Sequence, residues 1–263
     1  MDLGLKNKVA LVAASSSGLG LAVAEELAAE GASLLLCSRD GTRIGNTIAA
    51  IADQYGVPVM GLRADVSDAG DIQRFVAAGT ERFGRIDILV TNAGGPPTGT
   101  FDELTRERWD QALHLTFLSA VELARQVLPG MKERRWGRIL NITSISVKQP
   151  VAGLMLSNTM RAGVTGFART LANEVAPYGI TVNNILPGYT RTERLEELAM
   201  MMAEKEGISA EEFSSKWEQE IPMGRLGNPR EFAALAAFLV SERASYITGT
   251  SIQVDGGWIR SLF

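Results

Sequence analysis

Short, unbroken apolar runs alternate along the chain with longer stretches whose apolar residues recur at helical spacing. Residues 8–14, 33–37, 57–62, 86–91, 138–142, 181–186 and 251–254 read as strands. Between them, residues 19–30, 42–55, 68–83, 102–133, 151–175 and 229–241 read as helices. In the first of these helices Leu21, Val23, Ala24 and Leu27 form the apolar stripe. Strands that are apolar throughout belong to a parallel sheet covered on both faces. Right-handed crossovers then wind helices onto both faces. The pattern predicts an α/β fold: one domain over residues 1–263, with about seven parallel strands in the order 3-2-1-4-5-6-7.

Residues 191–223 depart from this rhythm. They are charged and helical in pattern, with Met200, Met201 and Met202 in a row, and they follow the sixth strand. Two readings stand: a lid over a site, or a surface helix pair whose methionines pack on the body.

Composition narrows the function classes. Apolar residues make up 46% of the 263, enough for a large core, and the longest apolar run, 233–240, is far short of a membrane span. The first six residues lack the regions of a signal peptide, so the cytoplasm is the default compartment. Net charge is −4 and no basic stripe is present, which argues against nucleic acid as a partner. A lone cysteine, Cys37, reads as a buried strand thiol, and with the lone histidine, His114, it cannot build a metal site.

The candidate chemistry lies at strand ends. The first strand runs into Ala13-Ala14-Ser15-Ser16-Ser17-Gly18-Leu19-Gly20 and then a helix. Glycines there let the backbone approach a pyrophosphate, and the helix N-terminus favours its charge. A strand–turn–helix of this kind marks a Rossmann-type sheet. Ala14 is expected either to keep a negative φ or to shift the loop. The second strand ends at Ser38-Arg39-Asp40. Arg39 beside a small hydroxyl suits the 2′-phosphate of NADP, while Asp40 leaves NAD open. No basic residue precedes Gly18 as a second phosphate clamp.

Together with Asn141-Ile142-Thr143-Ser144, these segments resemble the short-chain dehydrogenase/reductases, and the tail (224–227 and 254–257) resembles β-ketoacyl-carrier-protein reductases. The resemblance spans nearly the whole chain. It implies cofactor contacts from Ser15, Ser16, Ser17, Gly18, Leu19 and Gly20, and from Ser38 and Arg39. It adds Asp65 and Val66 at the adenine, Asn92-Ala93-Gly94 along the cofactor, and Pro187, Gly188 and Thr192 near the nicotinamide. It also implies a homotetramer and a small-molecule substrate.

At the catalytic positions the chain departs from the family. Ser144 matches the family serine, but Ser157 and Arg161 stand where tyrosine and lysine are usual, and Thr116 where asparagine is usual. A phenol near pKa 10 can be brought towards neutrality by a neighbouring cation; an aliphatic hydroxyl is far less acidic. Ser157 is also shorter than a phenol and is expected to leave the phenol oxygen's place vacant, while Arg161 keeps the positive charge and is expected to hold ribose hydroxyls but not to exchange a proton at working pH. Tyr189, just after Pro187-Gly188, and Lys148, on the loop after Ser144, are the candidate replacement donors; each has a plain structural reading, as a pocket wall and as a solvated loop residue. Loss of the tyrosine enlarges the pocket, and Arg161 with Arg191 or Arg194 makes an anionic substrate an expectation. The loop 94–99 is expected as a stiff pocket wall. Two functions follow: an NADP-preferring oxidoreductase acting on a carbonyl, alcohol or polarised double bond with a non-standard proton donor, or an NADP-binding sensor or assembly subunit with little turnover.

Overall fold

A computed structural model describes residues 1–262; Phe263, the last residue of the expected domain, lies outside the described residues. The strands are β1 (Val9–Val12), β2 (Ser33–Ser38), β3 (Val59–Arg63), β4 (Ile88–Thr91), β5 (Gly137–Ile142), β6 (Ile180–Pro187) and β7 (Ser251–Val254). They form one seven-stranded parallel sheet in the order β3-β2-β1-β4-β5-β6-β7, as the sequence pattern predicts. In register, Val12 lies between Leu36 of β2 and Val90 of β4.

Period-two alternation explains why these strands are apolar throughout. Ala10, Val12, Leu34 and Leu36 point to one face, where α1 (Gly18–Ala29), α2 (Gly41–Tyr55) and α9 (Pro229–Leu239) cover them. Leu11, Ala13, Leu35 and Cys37 point to the other, beneath α3 (Ala69–Phe83), α5 (Ser119–Arg134) and α6 (Met155–Val175). The remaining helices are α4 (Arg106–Ala112), α7 (Glu193–Glu206) and α8 (Ala210–Glu220). Helix starts follow side-chain capping: Asp40 accepts from the amides of Thr42 and Arg43, and Asp68 from that of Asp71. Burial pushes the Cys37 thiol up to about 12, so it is an inert core group.

Two helices differ from expectation, and both differences reach the site. The predicted helix 102–133 is broken: α4 passes into a π-helical turn, Leu113–Leu118, before α5 begins. Ser119 Oγ donates back to the Leu115 carbonyl at 2.6 Å within this widened turn, which leaves Thr116 buried and His114 exposed. The helix predicted from 151 begins at Met155. Gly153, at φ +74°, and a bridge between Gly99 and Leu154 hold residues 151–154 outside the helix. Ser157 therefore sits in the first turn of α6.

A polar chain crosses the sheet just below its C-terminal edge. Thr91 Oγ1 donates to Asn141 Oδ1 (2.7 Å), Asn141 Nδ2 to Asn184 Oδ1 (3.1 Å), and Asn184 Nδ2 to Ser251 Oγ (3.1 Å). It ties β4, β5, β6 and β7 into one platform beneath the site.

Candidate functional site

The strand order reverses at β1, and the C-terminal strand ends there open into a cleft of about 630 Å³. Ser16, Ser17, Gly18, Leu19, Ser38, Arg39, Asp65, Val66, Asn92, Ala93, Gly94, Arg161, Pro187, Gly188 and Thr192 all line it. Ser15 and Gly20 do not reach it. The Ser15 hydroxyl turns inward to the Val12 carbonyl at 2.9 Å. A Cβ on Gly20 would lie 2.5 Å from the Ala14 carbonyl oxygen and 2.7 Å from Asn92 Nδ2. These two residues shape the turn rather than face a ligand.

Of the two outcomes expected for Ala14, the negative φ is not found: its φ is +47°, the left-handed region that glycine adopts without strain. The conformation aims its carbonyl at Asn92 Nδ2, 3.0 Å away, which locks the glycine turn to the end of β4.

At the far end, Ser16 Oγ donates to Ser38 Oγ at 2.8 Å, joining the glycine turn to the tip of β2. Arg39 and Arg43 both line this corner. Although no basic residue precedes Gly18, Arg43 brings a second guanidinium to this corner; the Asp40 cap sets it in the first turn of α2, a signal present in Asp40-Gly41-Thr42-Arg43. Arg43 pairs with Glu193 at the start of α7. Asp40 spends one carboxylate oxygen on the two helix amides. Burial tends to raise the Asp65 carboxyl, but bonds from the Ser67 hydroxyl and amide and the Arg39 charge hold it below its ordinary value. The long cleft, the close-approach turn and this hydroxyl-and-guanidinium corner fit a dinucleotide bearing a 2′-phosphate.

At the other end, Arg161 Nε donates to Ser157 Oγ at 3.1 Å. Its Nη1 donates to the carbonyls of Ile142 (3.0 Å) and Thr143 (2.6 Å), so the guanidinium is braced against the end of β5. Burial, and then the nearby Arg194 charge, push Arg161 down to about 10. Ser144 Oγ accepts from the Ser146 amide at 3.1 Å, leaving its own proton free. Beneath Arg161, Thr116 Oγ1 and Thr143 Oγ1 are buried without partners among the described residues and line a chamber of about 10 Å³, room for about one water.

Of the two candidate replacement donors, Tyr189 takes its plain reading as a pocket wall, and Lys148 is tied to a side chain rather than solvated. Tyr189 lines the cleft, but its ring stacks on Trp217 (centroids 4.8 Å apart) and meets Trp258 edge-on. Burial, then Glu220, push its phenol up to about 12, away from neutrality, and it forms an aromatic wall. Lys148 does not line the cleft; its Nζ donates to Gln253 Oε1 at 2.8 Å. Of the lid-base arginines, Arg194 lines the cleft, whereas Arg191 lies 3.7 Å from Glu218 and does not. From the loop 94–99, Gly94, Gly95 and Pro96 form cleft wall. Residues 191–223 form α7 and α8, packed on each other through Ala199, Ala203, Phe213 and Trp217; Met202 reaches the cleft while Met200 and Met201 point outward.

An open doubly wound sheet with a glycine turn at its switch point defines the class as a dinucleotide-binding α/β protein. The model of the enoyl-(acyl carrier protein) reductase family matches residues 13–259. The dehydrogenase/reductase SDR family member 4 of Sus scrofa is 37% identical over 254 residues, covering 96% of this chain and 88% of that protein. The 3-oxoacyl-[acyl-carrier-protein] reductase of Aquifex aeolicus is 34% identical over 257 residues, covering 98% and 99%. Among solved structures, L-sorbose reductase from Gluconobacter frateurii, complexed with NADPH and L-sorbose, is 35% identical with a TM-score of 0.95 over 100% of both chains. The chain belongs to the short-chain dehydrogenase/reductase family of oxidoreductases. Among the described residues, no helix is long and apolar enough to cross a membrane, and no three or more His, Cys, Asp or Glu cluster as a metal site.

Proposed function

We propose that this protein is an NADP-dependent oxidoreductase for a small anionic carbonyl, alcohol or polarised double bond, in which Ser157, braced by Arg161, delivers the proton. The observation that carries this reading is the 3.1 Å bond from Arg161 Nε to Ser157 Oγ. Because Ser157 Oγ accepts from a cation, its own proton is free to point into the cleft. Ser144 offers a second hydroxyl there. The reduced nicotinamide, when bound, supplies the hydride to the substrate carbon. Ser144 and Ser157 hold the substrate oxygen, and the Arg161 charge stabilises the negative charge developing on it. As that oxygen becomes an alkoxide it takes the Ser157 proton, the Arg161 guanidinium stabilises the charge left on Ser157 Oγ, and a solvent proton restores the hydroxyl, so one proton is consumed per hydride.

Support for NADP comes from Ser16, Ser38, Arg39 and Arg43 at one corner and from the NADPH-bound L-sorbose reductase. Residues 191–223 act as a lid in this reading, since α7 carries Glu193, Arg194, Leu198 and Met202 along the cleft. A cytoplasmic homotetramer is part of the proposal, and light scattering tests the tetramer.

A second reading has its own observation: Tyr189 lines the cleft with its phenol held near 12 and Lys148 is tied to Gln253, so among the described residues neither candidate donor is poised for proton transfer, and the protein binds NADP without turning over. Assaying NADPH consumption against ketones, enones and imines separates the two. Turnover that tracks substrate supports the enzyme; tight NADPH binding with no consumption across the panel supports the binding protein.

A further inference from the structure

Arg194 lines the cleft, yet neither the phosphate corner of Arg39 and Arg43 nor the proton-transfer step at Ser157 uses it. It sits in the first turn of α7, and its Nη2 lies 3.4 Å from the Pro96 carbonyl. The guanidinium lies flat against the backbone of the opposite loop: a Cβ on Gly95 would be 3.2 Å from its Nε and 3.3 Å from its Nη2. A side chain there would push the guanidinium back by a few tenths of an ångström. Its one carboxylate partner is Glu197, an i,i+3 neighbour at 3.4 Å with both side chains about half exposed, a contact that holds little. In the same cleft stands Arg161, near enough that the Arg194 charge, after burial, lowers its pKa. Among the described residues no carboxylate pairs with Arg161; its partners are two carbonyls and the Ser157 hydroxyl.

Arg161 and Arg194 face one cavity, and the carboxylates that share its wall beside them are Glu193, which pairs with Arg43, and Glu197, whose half-exposed contact with Arg194 is weak, so a ligand's negative charge is the strong partner these two guanidiniums lack. A guanidinium is also the side chain best shaped to meet a carboxylate with two parallel bonds. The aromatic wall of Tyr189 and Trp217, with Leu198 and Met202, closes the same end and suits a ring or short chain.

Resting on the oxidoreductase reading above, we infer that the substrate is a small carboxylic acid whose carboxylate is held by Arg194 on the Gly95 backbone. Its reducible carbonyl, or the carbonyl conjugated to a reducible double bond, meets Ser144 and Ser157. The substrate class is thus oxo acids and their unsaturated analogues carrying an apolar or aromatic tail. Gly95 acts as a specificity-determining residue by leaving Arg194 its seat.

The test is calorimetric titration of the NADPH-saturated protein with phenylpyruvate, 4-oxo-4-phenylbutanoate and 4-oxo-4-phenylbut-2-enoate, each beside its primary amide. At least one acid is expected to bind about 10- to 100-fold more tightly than its amide. Arg194→Gln is expected to erase that difference, leaving amide affinity and NADPH affinity within about twofold; Gly95→Ala, which displaces the guanidinium, weakens the acids in the same direction. Acids that bind no better than their amides overturn the inference, and so does an Arg194→Gln effect that falls on NADPH instead, which would make Arg194 a cofactor-phosphate ligand. Because the readout is binding, it stands apart from the oxidoreductase reading: selective acid binding without turnover upholds the anion site and removes the enzyme, while turnover of neutral ketones with no acid preference does the reverse.

Discussion

Arg43→Ala removes one of the two guanidiniums at the corner where a 2′-phosphate fits. A hydrogen bond to a charged group contributes about 1.5–3 kcal/mol when well formed. Two features reduce that here. Arg43 keeps 44% of its side chain exposed, so solvent screens any contact it makes. It must also leave Glu193, whose side chain is 61% exposed, and such exposed pairs contribute at most about 1 kcal/mol. The net expectation is about 1–1.5 kcal/mol, a loss of about 5- to 12-fold in NADPH affinity. NADH lacks the phosphate and should bind the variant as it binds the parent. Glu193→Gln works in the opposite sense: it frees Arg43 and removes a negative charge facing the phosphate, so NADPH should bind about 2- to 5-fold more tightly. Titration by quenching of protein fluorescence at low and high salt reads all of these, and the NADPH effect should shrink as salt rises. Equal weakening of NADPH and NADH by Arg43→Ala, or weaker NADPH binding in Glu193→Gln, would refute the placement of the phosphate.

Three further outcomes follow from local structure. Ala14→Gly relieves a left-handed alanine, about 1–2 kcal/mol, against about 0.4–1 kcal/mol of added unfolded-chain entropy; the melting temperature should rise by roughly 1–4 °C, and a fall would show that the turn is unstrained. Asn184→Leu strands Asn141 Nδ2 and Ser251 Oγ within the sheet and should cost about 2–4 kcal/mol by denaturant titration; a cost near zero would mean that the cross-strand chain is dispensable. If Arg161 must be protonated for reduction, kcat stays level through neutral pH and falls as pH rises through about 10. The sign follows from a base whose folded pKa is depressed: the charged form is complete below that value and lost above it. Arg161→Lys should move the fall to lower pH, since lysine starts near 10.4 and burial lowers it further; an unchanged profile would detach the rate from this residue.

The sheet order and both covered faces were legible because seven apolar runs separated by helical stretches allow few other arrangements. The cofactor cleft was legible because its residues sit at strand ends, where short motifs and local spacing place them. What escaped depends on distances that spacing does not encode. The π-helical turn at Leu113–Leu118 keeps helical periodicity, so nothing in the pattern separated it from an α-helix. The start of α6 moved from 151 to Met155 because a bridge to Gly99, far away in the chain, competes for Leu154. Arg43 was within reach, since Asp40 three residues earlier is a recognisable cap. Lys148 looked free in the sequence because its partner, Gln253, lies 105 residues away on β7. Tyr189 stood beside the right motif, yet only packing against Trp217 and Trp258 shows it to be a wall.

The central claim is that the Ser157 hydroxyl, braced by Arg161, delivers the proton in the absence of a phenol. Single-turnover NADPH oxidation, measured on the parent, Ser157→Ala and Tyr189→Phe with one turned-over substrate, tests it most directly. The account predicts that Ser157→Ala slows hydride transfer by about 10²- to 10⁴-fold at unchanged NADPH affinity, while Tyr189→Phe keeps the parent rate. A Ser157→Ala protein as fast as the parent, or a Tyr189→Phe protein that is dead, would contradict it.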